Sequence, residues 1–206
     1  MKIGVIDSGK GGELVSKRIK DRCGQEIKTV QYKPETFVSY SNTSLEQLFI
    51  KCKTHVDYLH SQNVSIIVVG CMTLSVNCLD FIKSLTDLPV KDVYTPLPRL
   101  DKSWTVLATE NSIRSGKFSQ CVEIPCGTLS GFIESQDLES LSAFEDLFFE
   151  DYLEKAMRLF LSSAKEPATD KIVLGCTHYP LIQNELKKIL KWTSVIDPIN
   201  YLLNAI

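Results

Sequence analysis

The sequence predicts an α/β protein with two pseudo-symmetric lobes, each a parallel sheet flanked by helices, and an active-site cleft between them. Three observations carry this. Short β-branched runs alternate with longer amphipathic stretches, the pattern of parallel sheets wrapped by helices. The pattern restarts midway, after a proline-rich connection. Two apolar runs, "IIVVGCMTLS" (66–75) and "KIVLGCTHYP" (171–180), enter the same Gly-Cys step at the same phase.

The elements follow in order. "KIGVIDS" (2–8) is a strand entering a glycine turn, and "GELVSKRIKDR" has helical periodicity, with Leu14, Val15 and Ile19 on one side. "TVQYK" (29–33) is a second strand. "SNTSLEQLFIKCKTHVDYLHSQN" is a long helix in which Thr43 or Ser44 can cap the N-terminus and Leu48, Phe49, Cys52, Val56 and Leu59 recur at helical spacing. "VSIIVVG" (64–70) is a buried third strand. The text "PVKDVYTPLPRLDKSW" (89–104), with three prolines, suits a connection between lobes. "SWTVLATENSIRSGKF" then restarts the cycle with a strand, a polar turn and a helix start. "DLFFEDYLEKAMRLFLSSA" (146–164) is an amphipathic helix, and "KIVLGCTHYP" closes the repeat as a buried strand.

Asp7 precedes Cys71 by 64 positions and Thr109 precedes Cys176 by 67, which reads as an internal duplication. The expected lobes are residues 1–95 with a return segment 190–206, and residues 96–189.

Composition narrows the function. The 206 residues are 44% hydrophobic and 23% charged, with formal net charge −2, so nothing suggests a nucleic-acid or anionic-membrane footprint. No run approaches the roughly 18 apolar residues of a membrane-spanning helix, and "MKIGVIDSGKGG" turns at glycine too early for a signal-peptide core. Seven scattered cysteines, an odd number, argue against a disulfide framework and point to the reducing cytoplasm. There is no CxxC, and Cys176-x-His178 is a weak metal signal, so no metal is expected. "GKGG" has neither the Walker nor the Rossmann spacing, which disfavours nucleotide binding.

In open α/β sheets, ligands sit outside the carboxyl ends of the strands. Asp7, Ser8 and Cys71 lie at that edge of the first lobe, and Thr109 and Cys176 at that edge of the second. If the lobes face each other, the two thiols approach one cleft from opposite sides. Inverting a carbon centre needs a base on one face and an acid on the other, and a thiol of pKa about 8.5 can serve as either. Each cysteine precedes an expected helix N-terminus, whose partial positive charge favours thiolate. The hydroxyls of Thr73, Ser75 and Thr177 and the turn amides of Ser8 to Gly12 can hold a carboxylate. Cys23, Cys52, Cys78, Cys121 and Cys126 are read as core or incidental thiols, and His55 and His60 receive no role.

"IGVIDSGKGG", "VGCMTLS", "VLATENSIRSGKF" and "LGCTHYPLI", in that order, resemble the glutamate racemase family of the aspartate/glutamate racemase superfamily, and "VIDPINYLLNAI" resembles its return segment. The resemblance implies a cofactor-independent racemase in which Cys71 and Cys176 are the two acid/bases. It implies that Asp7 and Ser8 bind substrate and assist the first thiol. Tyr40 and Ser41 stand where the family has a substrate-binding Tyr-Gly pair. Thr73 and Thr177 would contact the amino acid's polar groups, His178 would support the second thiol, Glu134 matches a family glutamate near the site, and Thr109 is a further candidate. A homodimer supplying D-glutamate for peptidoglycan is also implied.

Three features depart from the pattern. Met72 replaces an asparagine that binds substrate, a change worth about 1–3 kcal/mol if a buried partner is left unpaired. Ser41 replaces a glycine, and the chain ends soon after Asp197. Racemisation of aspartate or a related amino acid, and a catalytically impaired ligand-binding relative, are therefore alternative readings.

Overall fold

Both halves of the chain build the same sheet. The computed structural model describes residues 1–33, 38–135 and 147–206, without the side chains of 147–150. The first sheet comes from β1 (Lys2–Ile6), β2 (Lys28–Gln31), β3 (Ile66–Val69) and β4 (Val90–Asp92), with α1 (Lys10–Cys23), α2 (Leu45–Ser61) and α3 (Met72–Ser84) between them. The second comes from β5 (Thr105–Ala108), β6 (Val122–Pro125), β7 (Lys171–Gly175) and β8 (Ser194–Ile196). Its helices are α4 (Glu110–Arg114), α5 (Gly127–Ser135), α6 (Leu147–Ser163) and α7 (Gln183–Leu190), and α8 (Pro198–Leu203) follows. The strand orders β2-β1-β3-β4 and β6-β5-β7-β8 are equivalent, and all described pairings are parallel. The expected α/β architecture of two sheets flanked by helices is what the chain adopts.

Period-2 alternation sorts the strand side chains into three layers. Val5 and Val68 of the first sheet and Val106 and Val173 of the second join one apolar cluster with Val15 and Ile19 of α1, Met72 and Val76 of α3, and Ile199 and Leu202 of α8. The alternate positions, Ile6, Ile67 and Val69, face away and pack with Leu48, Cys52 and Val56 of α2. In the second sheet Leu107, Ile172 and Leu174 face the opposite outer layer, which holds Leu129, Leu153, Met157 and Leu186. The two sheets therefore share a continuous middle core. Because each sheet is covered on both faces, its central strands read as largely apolar runs without a polar alternation, β3 (IIVV) most clearly.

Four local outcomes differ from the sequence reading. The connection 89–104 contains β4, a short edge strand flanked by Pro89 on one side and Pro96 and Pro98 on the other. Residues 194–196, expected with the first lobe, form β8, which pairs with β7 and closes the second sheet as β4 closes the first. Only α8 returns to the first half, packing on α1, where Arg18 pairs with Asp197. The helix expected from Thr177 begins instead as a 3-10 turn (Tyr179–Ile182), and α7 starts at Gln183 because Ile182 leaves the helical region (φ −121°, ψ 27°). β6, only four residues long, and α5 had no sequence expectation. α2 is capped by Ser44, whose hydroxyl accepts from the Gln47 N–H.

Candidate active site

The carboxyl ends of equivalent strands deliver the chemistry. Asp7 and Ser8 follow β1, Cys71 follows β3 and caps α3, Thr109 follows β5 and caps α4, and Cys176 follows β7. The ladders refine the repeat. Ile6 pairs with Val69 and Ala108 with Gly175. Continued along the strands, these registers set Ser8 level with Cys71 and Thr109 level with Cys176. Ser8, and not Asp7, is thus the counterpart of Thr109.

One cavity of about 20 Å³ receives both halves. Asp7, Ser8, Tyr40, Cys71, Met72 and Thr73 line it from the first half, and Thr109, Cys176, Thr177 and His178 from the second. Ser39 and Ser130 complete the wall and were not anticipated. Cys71 and Cys176 are 7% and 8% exposed, so both are almost wholly buried where they line this cavity. Close approach here depends on glycine. A Cβ on Gly11 would lie 2.5 Å from Thr177 Oγ1 and 3.1 Å from both Asp7 Oδ2 and His178 Nδ1.

Charge is distributed unequally around the thiols. Burial pushes the Cys71 thiol well above its ordinary value, and the Asp7 carboxylate adds to the rise. The N–H groups of Leu74 and Thr73, at the start of α3, act the other way but are outweighed. The helix N-terminus therefore does not make Cys71 a thiolate, as sequence reasoning expected; desolvation wins. Asp7 is itself raised by burial, although His178, the Thr177 hydroxyl and the Ser8 N–H oppose the shift. Those contacts are Thr177 Oγ1 to Asp7 Oδ2 at 2.8 Å and Ser8 N–H to Asp7 Oδ1 at 2.6 Å.

Around Cys176 a cation is built in. His178 Nδ1 is 3.6 Å from Cys176 Sγ, and its Nε2 is 2.9 Å from Glu134 Oε2. Burial pulls the imidazole down, but the bonds to Cys176 and Glu134 outweigh it and raise His178 to about 10. Glu134 is held below its usual value despite desolvation, through His178 and the Lys10 N–H. The Lys10 N–H donates to Glu134 Oε2 at 2.9 Å, so the start of α1, read in the sequence as a cradle for a substrate carboxylate, is partly occupied by Glu134.

Glu134 thus stands behind His178 and not on the cavity wall. Ser41 also sits back from it, its hydroxyl donating to Glu110. Thr73 and Thr109 join Ser112 in a ring of three hydroxyls, with spacings of 2.8, 3.1 and 2.9 Å. His55, given no role in the sequence, is 3.0 Å from the Tyr40 hydroxyl through Nε2. Its burial was legible, because it lies three residues after Cys52 and seven after Leu48 on the buried face of α2; its partner was not. All seven cysteines are free. Among the described residues no cluster of three or more His, Cys, Asp or Glu is placed to hold a metal, and no helix is long and apolar enough to cross a membrane.

Two equivalent parallel sheets, with a thiol after the third strand of each meeting in one cavity, define the two-lobed α/β racemase class. The glutamate racemase structure from Campylobacter jejuni superposes with a TM-score of 0.81 over all of this chain and 84% of that one, at 24% identity. No protein-family model matches the chain. The glutamate racemase of Aquifex pyrophilus is 30% identical over 96% of this chain and 78% of its own length. That of Hydrogenobaculum sp. is 26% identical over 100% of this chain and 81% of its own. The chain belongs to the glutamate racemase family, whose members are amino-acid isomerases.

Proposed function

We propose that the protein interconverts L- and D-glutamate by a two-thiol acid/base reaction that needs no cofactor. The observation that carries this reading is the pair of strand-end thiols, Cys71 and Cys176, lining one cavity from opposite halves of the fold. One thiolate takes the α-proton and becomes a thiol. The opposing S–H delivers its proton to the other face of the carbanion-like centre and becomes the thiolate. Two protons move, no electrons are gained or lost, and the configuration inverts.

The surroundings suit such a cycle. The His178 ring, anchored through Nε2 by Glu134, keeps its Nδ1 3.6 Å from the Cys176 sulfur, a fixed hydrogen-bonding partner beside the second thiol. Burial keeps Cys71 protonated at rest, ready to act as the acid. Asp7, Ser8, Thr73, Thr109 and Thr177 offer the groups that would orient the amino acid, and hydrogen-bond donors fixed in a desolvated cleft stabilise charge developing in the transition state. Family membership supports a cytoplasmic homodimer supplying D-glutamate for peptidoglycan.

Met72 favours a second reading. A thioether on the wall, where the family has an amide, leaves one fewer hydrogen bond for substrate, which suits a related amino acid such as aspartate. A single experiment separates the readings. The protein, with reductant and no added cofactor, is incubated in D₂O with L-glutamate, D-glutamate and both aspartates. Proton NMR follows Cα–H loss and circular dichroism follows inversion. Exchange with inversion of glutamate, lost in Cys71→Ser and Cys176→Ser, is the expected result. Activity confined to aspartate would select the second reading. No exchange with any of the four, in a folded sample, would refute both.

A further inference from the structure

The cavity has room for about one water molecule, far less than an amino acid. Admission of substrate therefore requires a wall to move. The sheets themselves are poor candidates, because parting them would expose the shared core of Val5, Val68, Val106 and Val173. The segment 39–43 is different. It carries Ser39 and Tyr40 of the wall and lies outside both helix and strand.

The Tyr40 side chain is held within its own half by His55, but the backbone of this segment is held from the other half of the molecule. Three of its carbonyls converge on Asn111, at the start of α4. The side-chain Nδ2 donates to Tyr40 O and to Thr43 O, each at 2.7 Å, and the backbone N–H donates to Ser41 O at 3.1 Å. Both amide hydrogens of the side chain are thus committed to this one segment. Asn111 is fixed in turn from α3, where Asn77 Nδ2 donates to its carbonyl at 3.2 Å. A short polar side chain with two donors is well suited to gather two carbonyls, and an apolar residue could not replace it.

We propose that Asn111 is a positioning residue that latches the Ser39–Thr43 wall against the second half and so sets the width of the cleft beside Cys71. The inference rests on the reading of this cavity as the substrate site. Asn111 touches no reacting atom; it acts through Tyr40 and its neighbours.

The test compares wild type with Asn111→Ala and Asn111→Asp, with the exposed Lys91→Ala as a surface control. In Asn111→Asp the size is kept while the nitrogen that carries both donors becomes an acceptor oxygen facing two carbonyls. Two readouts need no turnover: the rate at which iodoacetamide labels Cys71, and amide hydrogen exchange over residues 40–44. Loss of two hydrogen bonds is expected to speed both by about tenfold or more. With an active wild type, KM is expected to rise about tenfold while kcat changes less than about twofold, as when binding common to ground and transition states is lost. Lys91→Ala should match wild type. If the alanine variant fails to fold, the aspartate variant decides. Unchanged labelling, exchange and KM in a folded Asn111 variant would overturn the proposal, whatever happens to the melting temperature. Wild type inactive towards all four amino acids would instead count against the proposed function, while labelling and exchange would still judge the latch.

Discussion

Thr177 donates its hydroxyl to Asp7 at 2.8 Å, so a residue beside the second thiol supports the carboxylate beside the first. The bond ties the two halves together at the cavity itself. It also opposes the desolvation that raises Asp7.

Thr177→Val keeps the shape and removes the donor. Asp7 then moves further up, and the acidic limb of the pH–rate profile moves to higher pH with it. A hydrogen bond to a charged group is worth about 1.5–3 kcal/mol, so kcat/KM should fall by about ten- to a hundredfold. An unchanged profile would show that Asp7 does not titrate in the catalytic cycle.

His178 and His55 should titrate far apart. The bonds to Cys176 and Glu134 overcome burial and hold His178 at about 10. Burial, helped by the Lys51 charge, lowers His55 to about 4. Imidazole NMR resolves both. Because the folded value of His178 lies above the ordinary 6.5, its stabilisation is complete below that pH and disappears as pH rises through about 10. For His55 the neutral form is favoured, so its contribution is present above 6.5 and lost as pH falls through about 4. Glu134→Gln should lower the His178 value and weaken the protein most between the ordinary carboxylate and imidazole values of 4.5 and 6.5, where both partners contribute in full. A His178 value unmoved by that substitution would separate the two residues functionally.

Cys71 makes a matching statement on the alkaline side. Its raised value favours the neutral thiol in the folded state, so the associated stability is intact at neutral pH and declines as pH climbs beyond the ordinary thiol value of about 8.5. Thermal melts from neutral to alkaline pH should show a shallower decline for Cys71→Ala than for wild type. Parallel curves would mean that Cys71 ionises as easily folded as unfolded.

Much of the fold was legible because buried parallel strands leave an unmistakable trace. The runs at 66–69 and 171–175 are β-branched on both faces, and α2 shows its buried face at helical spacing. What escaped has a common cause. β4 and β8 are three-residue edge strands that bury too little to impose a pattern, and β6, which does alternate, is only four residues long. At the site, Cys71 and Cys176 were recoverable from repeated local context. Ser130, Ser39 and the His55–Tyr40 pair were not, because each depends on a neighbour distant in the chain.

By itself the amino-acid order determined the repeat, the strand-end placement of Asp7, Ser8, Cys71, Thr109 and Cys176, and the resemblance that the comparisons then bore out. These depend on local periodicity and on which residue follows a buried strand. Only the tertiary structure decided the charge states and the clamps. The start of α1 is met by Glu134, Cys71 is held neutral despite its helix, and three carbonyls of one half meet Asn111 of the other. Desolvation and cross-half hydrogen bonding are properties of what surrounds a group in space, and neighbours along the chain do not specify them.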